Sequence, residues 1–391
     1  MLYENTVMRA PSTFLHPPSV DGLPMPDARV QATPVKGRGT STQVLHRFAP
    51  HSREAVDDGW GEADESGLTT SSTRPVTTVV PEQARSILSG NQSPDIPFTW
   101  SINPYRGCEH GCIYCYARPT HSYLNLSPGL DFETRLVAKV NAAALLRQEL
   151  QKPSHVCSPI NIGSATDPYQ PIEREWRITR SVLEVLHTCR HPYTLITKSS
   201  GVERDLDLLG QAGARQQACV LISLTTLDAE LCRKLEPRGA APHRRLLTVQ
   251  RLAKAGVPVG VNVAPIIPFL NEPEIEALIE AAAQAGAQSI HYTVLRLPWE
   301  VKPLFEEWLA HHVPDKAVRI MARLRELRGG NDYDADFRWR MKGEGVWAQL
   351  IAQRVRKAAA RHGLNRRLLA LDGSAFDPRA LRPASPQLGL F

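Results

Sequence analysis

The chain has 391 residues, 42% of them hydrophobic, and a formal net charge of +6. That is enough apolar material for one large domain or two medium ones, yet no apolar run approaches the roughly 20 residues of a membrane span. The N-terminus lacks a basic segment followed by an apolar leader, and the seven cysteines are odd in number with only three bunched, which argues against secretion and a disulfide framework and fits a reducing cytoplasm.

Residues 1–95 are rich in Pro, Ser, Thr and Gly without sustained hydrophobic periodicity, so an irregular extension is expected there. Between 96 and 312, β-branched apolar runs alternate with helix-length amphipathic stretches. The predicted strands are Phe98–Ile102, Ile160–Ala165, Tyr193–Thr197, Ala218–Leu224, Val257–Ala264 and Ser289–Leu295. Predicted helices lie near 132–151, 173–189, 202–213, 242–255 and 272–285, punctuated by Gly201, Gly213, Gly256 and Gly286. Six such repeats imply an α/β fold with a parallel sheet. Right-handed crossovers build from it either a partial barrel or a doubly wound sheet, and periodicity does not choose between them.

A helical C-terminal region follows over 313–371, with helices expected at 316–328 and 344–362. Residues 315–370 hold 14 Lys/Arg against 6 Asp/Glu, so the basic surplus is concentrated there. Such a stretch suits a phosphate-bearing partner or, equally, a solvated helical face. Trp339, Trp347, Tyr333 and Phe337 are interleaved with its arginines, as base-stacking residues or as anchors of a C-terminal helix. A Pro-rich tail, 372–391, ends in Gln387-Leu388-Gly389-Leu390-Phe391.

The chemistry is concentrated directly after the first strand, where residues 103–116 read NPYRGCEHGCIYCY. Cys108, Cys112 and Cys115 bring three thiolates together, and Gly107 and Gly111 allow the loop unusual dihedrals. A structural zinc site wants four ligands, which His110 or His121 would complete. A [4Fe–4S] cubane normally takes four cysteines, and three leave one iron open to a substrate.

The Cys-x-x-x-Cys-x-aromatic-Cys spacing after a first strand resembles the signature of the radical S-adenosylmethionine (SAM) superfamily. The resemblance implies a partial (β/α)6 barrel, a [4Fe–4S] cluster on Cys108, Cys112 and Cys115, and SAM chelated at the open iron and cleaved reductively to a 5′-deoxyadenosyl radical. It also implies a low-potential electron donor, flavodoxin or ferredoxin. Over roughly 98–300 the chain looks like the spore photoproduct lyase branch, which repairs a thymine dimer in DNA. By that resemblance Tyr114 and Tyr116 lie near SAM and take part in radical transfer; packing around the cluster is their alternative.

The remaining candidates sit at predicted strand ends, where a parallel barrel collects its chemistry. Ser164, Thr166 and Asp167 after strand two suit the methionyl ammonium of SAM, although Asp167 before Pro168 also suits a turn. Lys198 after strand three matches a lysine that contacts the SAM carboxylate in the resembled branch, and a lysine there is costly without an anion. Ser223 matches a ribose-contacting serine, and Asn262 is placed to flank adenine. Glu236, Arg238 and Arg244 either close a SAM or phosphate site or form salt bridges.

One departure limits the resemblance. The photoproduct lyases carry a hydrogen-donating cysteine near the end of strand two, where this chain reads Ser164-Ala165-Thr166 and Cys157 lies before the strand. The terminal pentapeptide resembles the peptides by which bacterial polymerases and repair proteins dock on the DNA sliding clamp, an extended segment filling a preformed groove. Taken together, these features predict a radical SAM enzyme acting on DNA or a nucleotide lesion. The alternatives are a radical SAM enzyme acting on a protein, RNA or small metabolite, and a non-catalytic Fe–S or zinc DNA-binding module.

Overall fold

Apolar β-branched runs become strands in this computed structural model, which describes residues 35–48, 75–365 and 370–382. In chain order they are β1 (Thr78–Glu82), β2 (Leu88–Gly90), β3 (Trp100–Ile102), β4 (Tyr105–Arg106), β5 (Arg135–Lys139), β6 (Ile160–Ile162), β7 (Tyr193–Thr197), β8 (Ala218–Ser223), β9 (Val259–Ile266) and β10 (Ser289–Val294). The main sheet has the order β10-β9-β8-β7-β6-β3-β2. All six predicted strands are there, parallel to one another, and β2 adds an antiparallel edge beside β3. From β3 to β10 spatial order follows chain order without reversal. A doubly wound sheet reverses at a switch point, so this is the partial-barrel arrangement. The sheet stays open, with β10 and β2 as its edges.

Helices on the crossovers cover the sheet: Ala142–Leu150, Ile178–Thr188, Leu206–Ala214, Pro242–Lys254 and Ile275–Gln284. β8 (Ala-Cys-Val-Leu-Ile-Ser) reads as a nearly continuous apolar run because its residues are almost all buried, whereas β6 (Ile-Asn-Ile) is fully buried with a polar centre. The predicted helix at 132–151 is corrected. Its first half contains β5, which pairs with β1 and β4 in a second, three-stranded sheet. Arg135 is exposed, Leu136 buried, Val137 half-buried, and Ala138 and Lys139 buried, a pattern too short to stand out within a helix-length window. The expected helix at 173–189 is broken at Arg177, whose φ of 48° is left-handed.

Within the N-terminal extension, β1 and β2 are short docked pieces. Residues 35–48 form a strap without regular structure. After β10 come helices Val301–His312, Pro314–Glu326 and Gly345–Arg361, the first lying in a stretch for which no helix was predicted. The last packs on Ile275–Gln284, where Arg354 donates to Glu276 at 2.8 and 2.7 Å. Part of the basic surplus is thus engaged internally. No helix among the described residues is long and apolar enough to cross a membrane. The pentapeptide Gln387–Phe391 lies outside the described residues.

Candidate active site

The cysteine loop leaves β3 and is wound by two left-handed glycines, Gly107 at φ 75° and Gly111 at φ 67°. A Cβ on Gly107 would meet Leu136, His121 and the Phe132 carbonyl at 2.7–2.9 Å, so only glycine fits the turn. Short-range bonds curl the loop: the Gly111 amide donates to the Cys108 carbonyl at 3.3 Å and the Cys115 amide to the Cys112 carbonyl at 3.2 Å. Beneath it lies a second apolar cluster that includes Ile113, Leu235, Phe305 and Trp308.

A polar frame fixes this loop from three sides. Arg118, fully buried, donates to the carbonyls of Cys112 (2.9 Å), Gly111 (3.2 Å), Pro128 (3.1 Å) and Gly129 (3.0 Å), and pairs with buried Glu133. The strap closes the outer side, with the Gly39 amide on Glu133 at 2.9 Å and Arg38 on the Glu133 carbonyl at 2.8 Å. From the segment after β6, Thr166 donates to the Gly107 carbonyl at 2.6 Å, and Gln170 accepts from the Glu109 amide at 2.8 Å.

The loop faces a cavity of about 490 Å³ at the C-terminal ends of the strands. Eleven of the residues proposed from sequence line it, namely Cys108, Cys112, Cys115, Tyr114, Tyr116, Ser164, Thr166, Asp167, Lys198, Ser223 and Asn262, whereas Glu236, Arg238 and Arg244 do not. Burial pushes the Cys112 thiol well up, and the Lys198 ammonium opposes this. Lys198 Nζ stands 5.9 Å from the centre of the Tyr114 ring, and no carboxylate among the described residues pairs with it. Ser223 and Asn262 are register partners on adjacent strands.

Several of these side chains are already engaged. Asp167 accepts from the Thr197 hydroxyl and the Lys198 amide, both at 2.7 Å, and from the Tyr169 amide at 2.9 Å. Its Oδ2 is also 3.2 Å from His110 Nδ1, an ion-pair contact without hydrogen-bond alignment. Burial would raise Asp167, yet His110 and these donors hold it down to about 2. Burial likewise opposes charge on His110, but Asp167 and the adjacent Cys108 hold its pKa up at about 10. Asp167 and Thr166 thus brace the site, and Ser164 keeps the lighter load, accepting from Asn103 Nδ2 at 3.0 Å.

The two tyrosines differ. Tyr114 is buried, donating to the Glu236 carboxylate and lying 3.2 Å from Thr225 Oγ1. Tyr116 is exposed to the cavity, with its hydroxyl on the Ser164 carbonyl and the Arg296 guanidinium 5.0 Å from its ring centre. Glu236 pairs with buried Arg245, Arg238 with Glu109, and Arg244 with Glu203, so these residues form salt bridges. Of the seven cysteines only the three of the loop line the cavity. Cys157 sits beside Gly373 instead.

Sequence reasoning missed Arg296, Asp95, Arg340 and Met341, which also line the cavity. Arg296 lies two residues beyond the end of β10, so the strand-end rule that found Lys198 also points to it. Asp95 and Arg340 meet across 245 positions at 2.6 Å through both carboxylate oxygens, and no local pattern signals that.

A sequence model of the family described as the radical SAM superfamily matches residues 102–282. An uncharacterised protein of Mycobacterium tuberculosis (strain ATCC 25618 / H37Rv) is 36% identical over 234 residues, covering 59% of this chain and 68% of that protein. An uncharacterised protein of Methanocaldococcus jannaschii is 28% identical over 173 residues, covering 44% of this chain and 62% of that protein. Among solved structures, spore photoproduct lyase complexed with dinucleoside spore photoproduct is similar with a TM-score of 0.50 at 16% identity, over 73% of this chain and 79% of that chain. At that identity the likeness is one of fold.

The donor set fits an iron–sulfur cubane. Three buried or half-buried thiols share one cavity wall, and no fourth cysteine joins them. A [4Fe–4S] cubane held by three thiolates keeps one iron open to a ligand, whereas a structural zinc site takes four protein ligands.

Proposed function

This chain belongs to the radical SAM superfamily, and we propose that Cys108, Cys112 and Cys115 hold a [4Fe–4S] cluster with which it cleaves SAM reductively. The observation that carries this reading is the convergence of the three thiols and Lys198, which pairs with no carboxylate among the described residues, on one cavity at the strand ends. When bound, cluster and cofactor supply an electron and a 5′-deoxyadenosyl radical that takes a hydrogen atom from the substrate. Lys198 holds the SAM carboxylate, Ser164 lies toward its ammonium, and Ser223 and Asn262 lie toward its nucleoside. The second apolar cluster and the strap keep water from the back of the cysteine loop. The electron donor is a low-potential flavodoxin or ferredoxin.

We read the substrate as DNA or a nucleotide lesion, in the cytoplasm. The basic, aromatic C-terminal region supports this reading, because lysine and arginine supply phosphate affinity without sequence choice. The reaction differs from repair that relies on a protein thiol, since no cysteine besides the three ligands reaches the cavity to return hydrogen to a product radical. The Gln387–Phe391 peptide is read as a tether to the bacterial sliding clamp, on its sequence pattern alone.

The test is anaerobic reconstitution with iron and sulfide, reduction, and measurement of 5′-deoxyadenosine with and without DNA. Formation of 5′-deoxyadenosine that DNA increases is the expected result. A protein that binds iron and sulfide yet never forms it overturns the enzymatic reading. Clamp binding that survives deletion of 387–391 overturns the tether.

A further inference from the structure

Arg296 is a cation in the cavity wall with no acid to answer it. Its Nη1 donates to Met341 Sδ at 3.2 Å, its guanidinium lies over the Tyr116 ring, and its Nε is buried without a hydrogen-bond partner. No carboxylate among the described residues pairs with it. The contrast is Arg340 in the same wall, both of whose bonds go to Asp95.

Beside it stands a second guanidinium without a salt bridge among the described residues, with Asp334 near it. Arg328 is buried and donates to the carbonyls of Leu295 (2.9 Å) and Trp339 (2.7 Å). Burial first, and then repulsion from Arg296, pull its pKa down to about 10. The mutual repulsion of Arg296 and Arg328, opposed in part by Asp334, leaves this end of the cavity positive. A thioether is only a weak acceptor. A half-buried guanidinium left so poorly satisfied carries a desolvation cost that an anion removes, and its planar fork suits a phosphate.

We infer that Arg296 binds a phosphate group of the substrate and seats it against the Tyr116 ring. This rests on the reading of the substrate as DNA or a nucleotide lesion, and it assigns the substrate's anion a place distinct from Lys198. Arg296 is then the residue that makes a phosphodiester preferable to its neutral analogue.

The test uses the full-length reconstituted protein with SAM, held anaerobically. The probes are the dinucleotide thymidylyl-thymidine and its uncharged methylphosphonate analogue, measured by equilibrium binding. The expected result is at least ten-fold tighter binding of the phosphodiester, lost in Arg296→Gln while iron content and SAM affinity stay unchanged. Equal binding of both probes overturns the subsite and leaves the DNA reading standing. A preference retained in Arg296→Gln, or a ten-fold loss of SAM affinity in it, also overturns the subsite, the second by moving Arg296 to the cofactor. If neither dinucleotide binds but inorganic phosphate binds the natural chain and not Arg296→Gln, the subsite holds and the DNA reading falls. Should the variant not fold, the comparison of the two probes on the natural chain decides alone.

Discussion

Arg118 Nε donates to the carbonyl of Cys112 at 2.9 Å from a side chain with no exposed surface. The same guanidinium pairs with Glu133, also fully buried, so one ion pair fixes the backbone that presents Cys112. Arg118→Ala strands a buried carboxylate, which costs about 3–5 kcal/mol. The expected outcome is a large fall in thermal stability together with lost iron loading. Arg118→Lys does not restore it, because one ammonium cannot reach the four carbonyls that the planar fork spans. Thermal unfolding and iron analysis check both variants.

Each loop thiol occupies a wall of the same cavity. Replacing Cys108, Cys112 or Cys115 singly by Ala is expected to abolish 5′-deoxyadenosine formation and to lower iron and sulfide content. Cys157→Ala, outside the cavity, leaves both unchanged. Turnover retained in a loop variant means the ligands are wrong.

Lys198 is the cavity cation at the end of β7. Losing a hydrogen bond to a charged group costs about 1.5–3 kcal/mol, so Lys198→Ala is expected to weaken SAM binding by roughly 10- to 100-fold. Iron content stays intact. Calorimetric SAM binding to the reconstituted variant is the check, and unchanged affinity removes Lys198 from the site.

Gly39 passes so close to the cysteine loop that a Cβ there would stand 1.8 Å from the Gly111 carbonyl oxygen. Gly39→Ala therefore forces the strap off the loop and opens the Glu133 carboxylate to water. A stability loss of about 1–3 kcal/mol is expected. Hydrogen exchange at the Gly39 and Gly111 amides and proteolysis within 35–48 rise with it. Unchanged exchange would show that the strap does not brace the loop.

Asp167 supplies the pH dependence. Its carboxyl is held below the usual range, at about 2, so it binds fewer protons in the folded protein than in the unfolded chain. Its contribution to stability is complete above about pH 4 and is lost as pH falls towards 2. Asp167→Asn lowers stability at pH 6 and shrinks the further loss on going to pH 3. Denaturant unfolding of the cluster-free protein at the two pH values measures the difference between the chains.

How much was legible in sequence depended on how local the determinant is. The six parallel strands were readable because short runs rich in β-branched and apolar residues recur between helix-length stretches, and Tyr193–Thr197 coincides with its predicted bounds. β5 was not, because five residues (Arg-Leu-Val-Ala-Lys) inside a helix-length window carry too little signal, and its partner β1 lies some 57 positions upstream. The candidate ligands were readable because Cys108, Cys112 and Cys115 are contiguous in one loop.

The sequence by itself therefore determined the repeat architecture, the thiol triplet and the strand-end residues, all of which are written in spacing that a short window contains. Only the tertiary structure decided what those residues have left to offer. It engaged Asp167 with His110, Thr197 and the Lys198 amide, and it tied Glu236 to Tyr114 and Arg245. Both Lys198 and Arg296 line the cavity with no carboxylate among the described residues paired to either. Whether a charged side chain is paired depends on groups brought close by folding, often from more than a hundred positions away, and burial then sets how much that pairing matters.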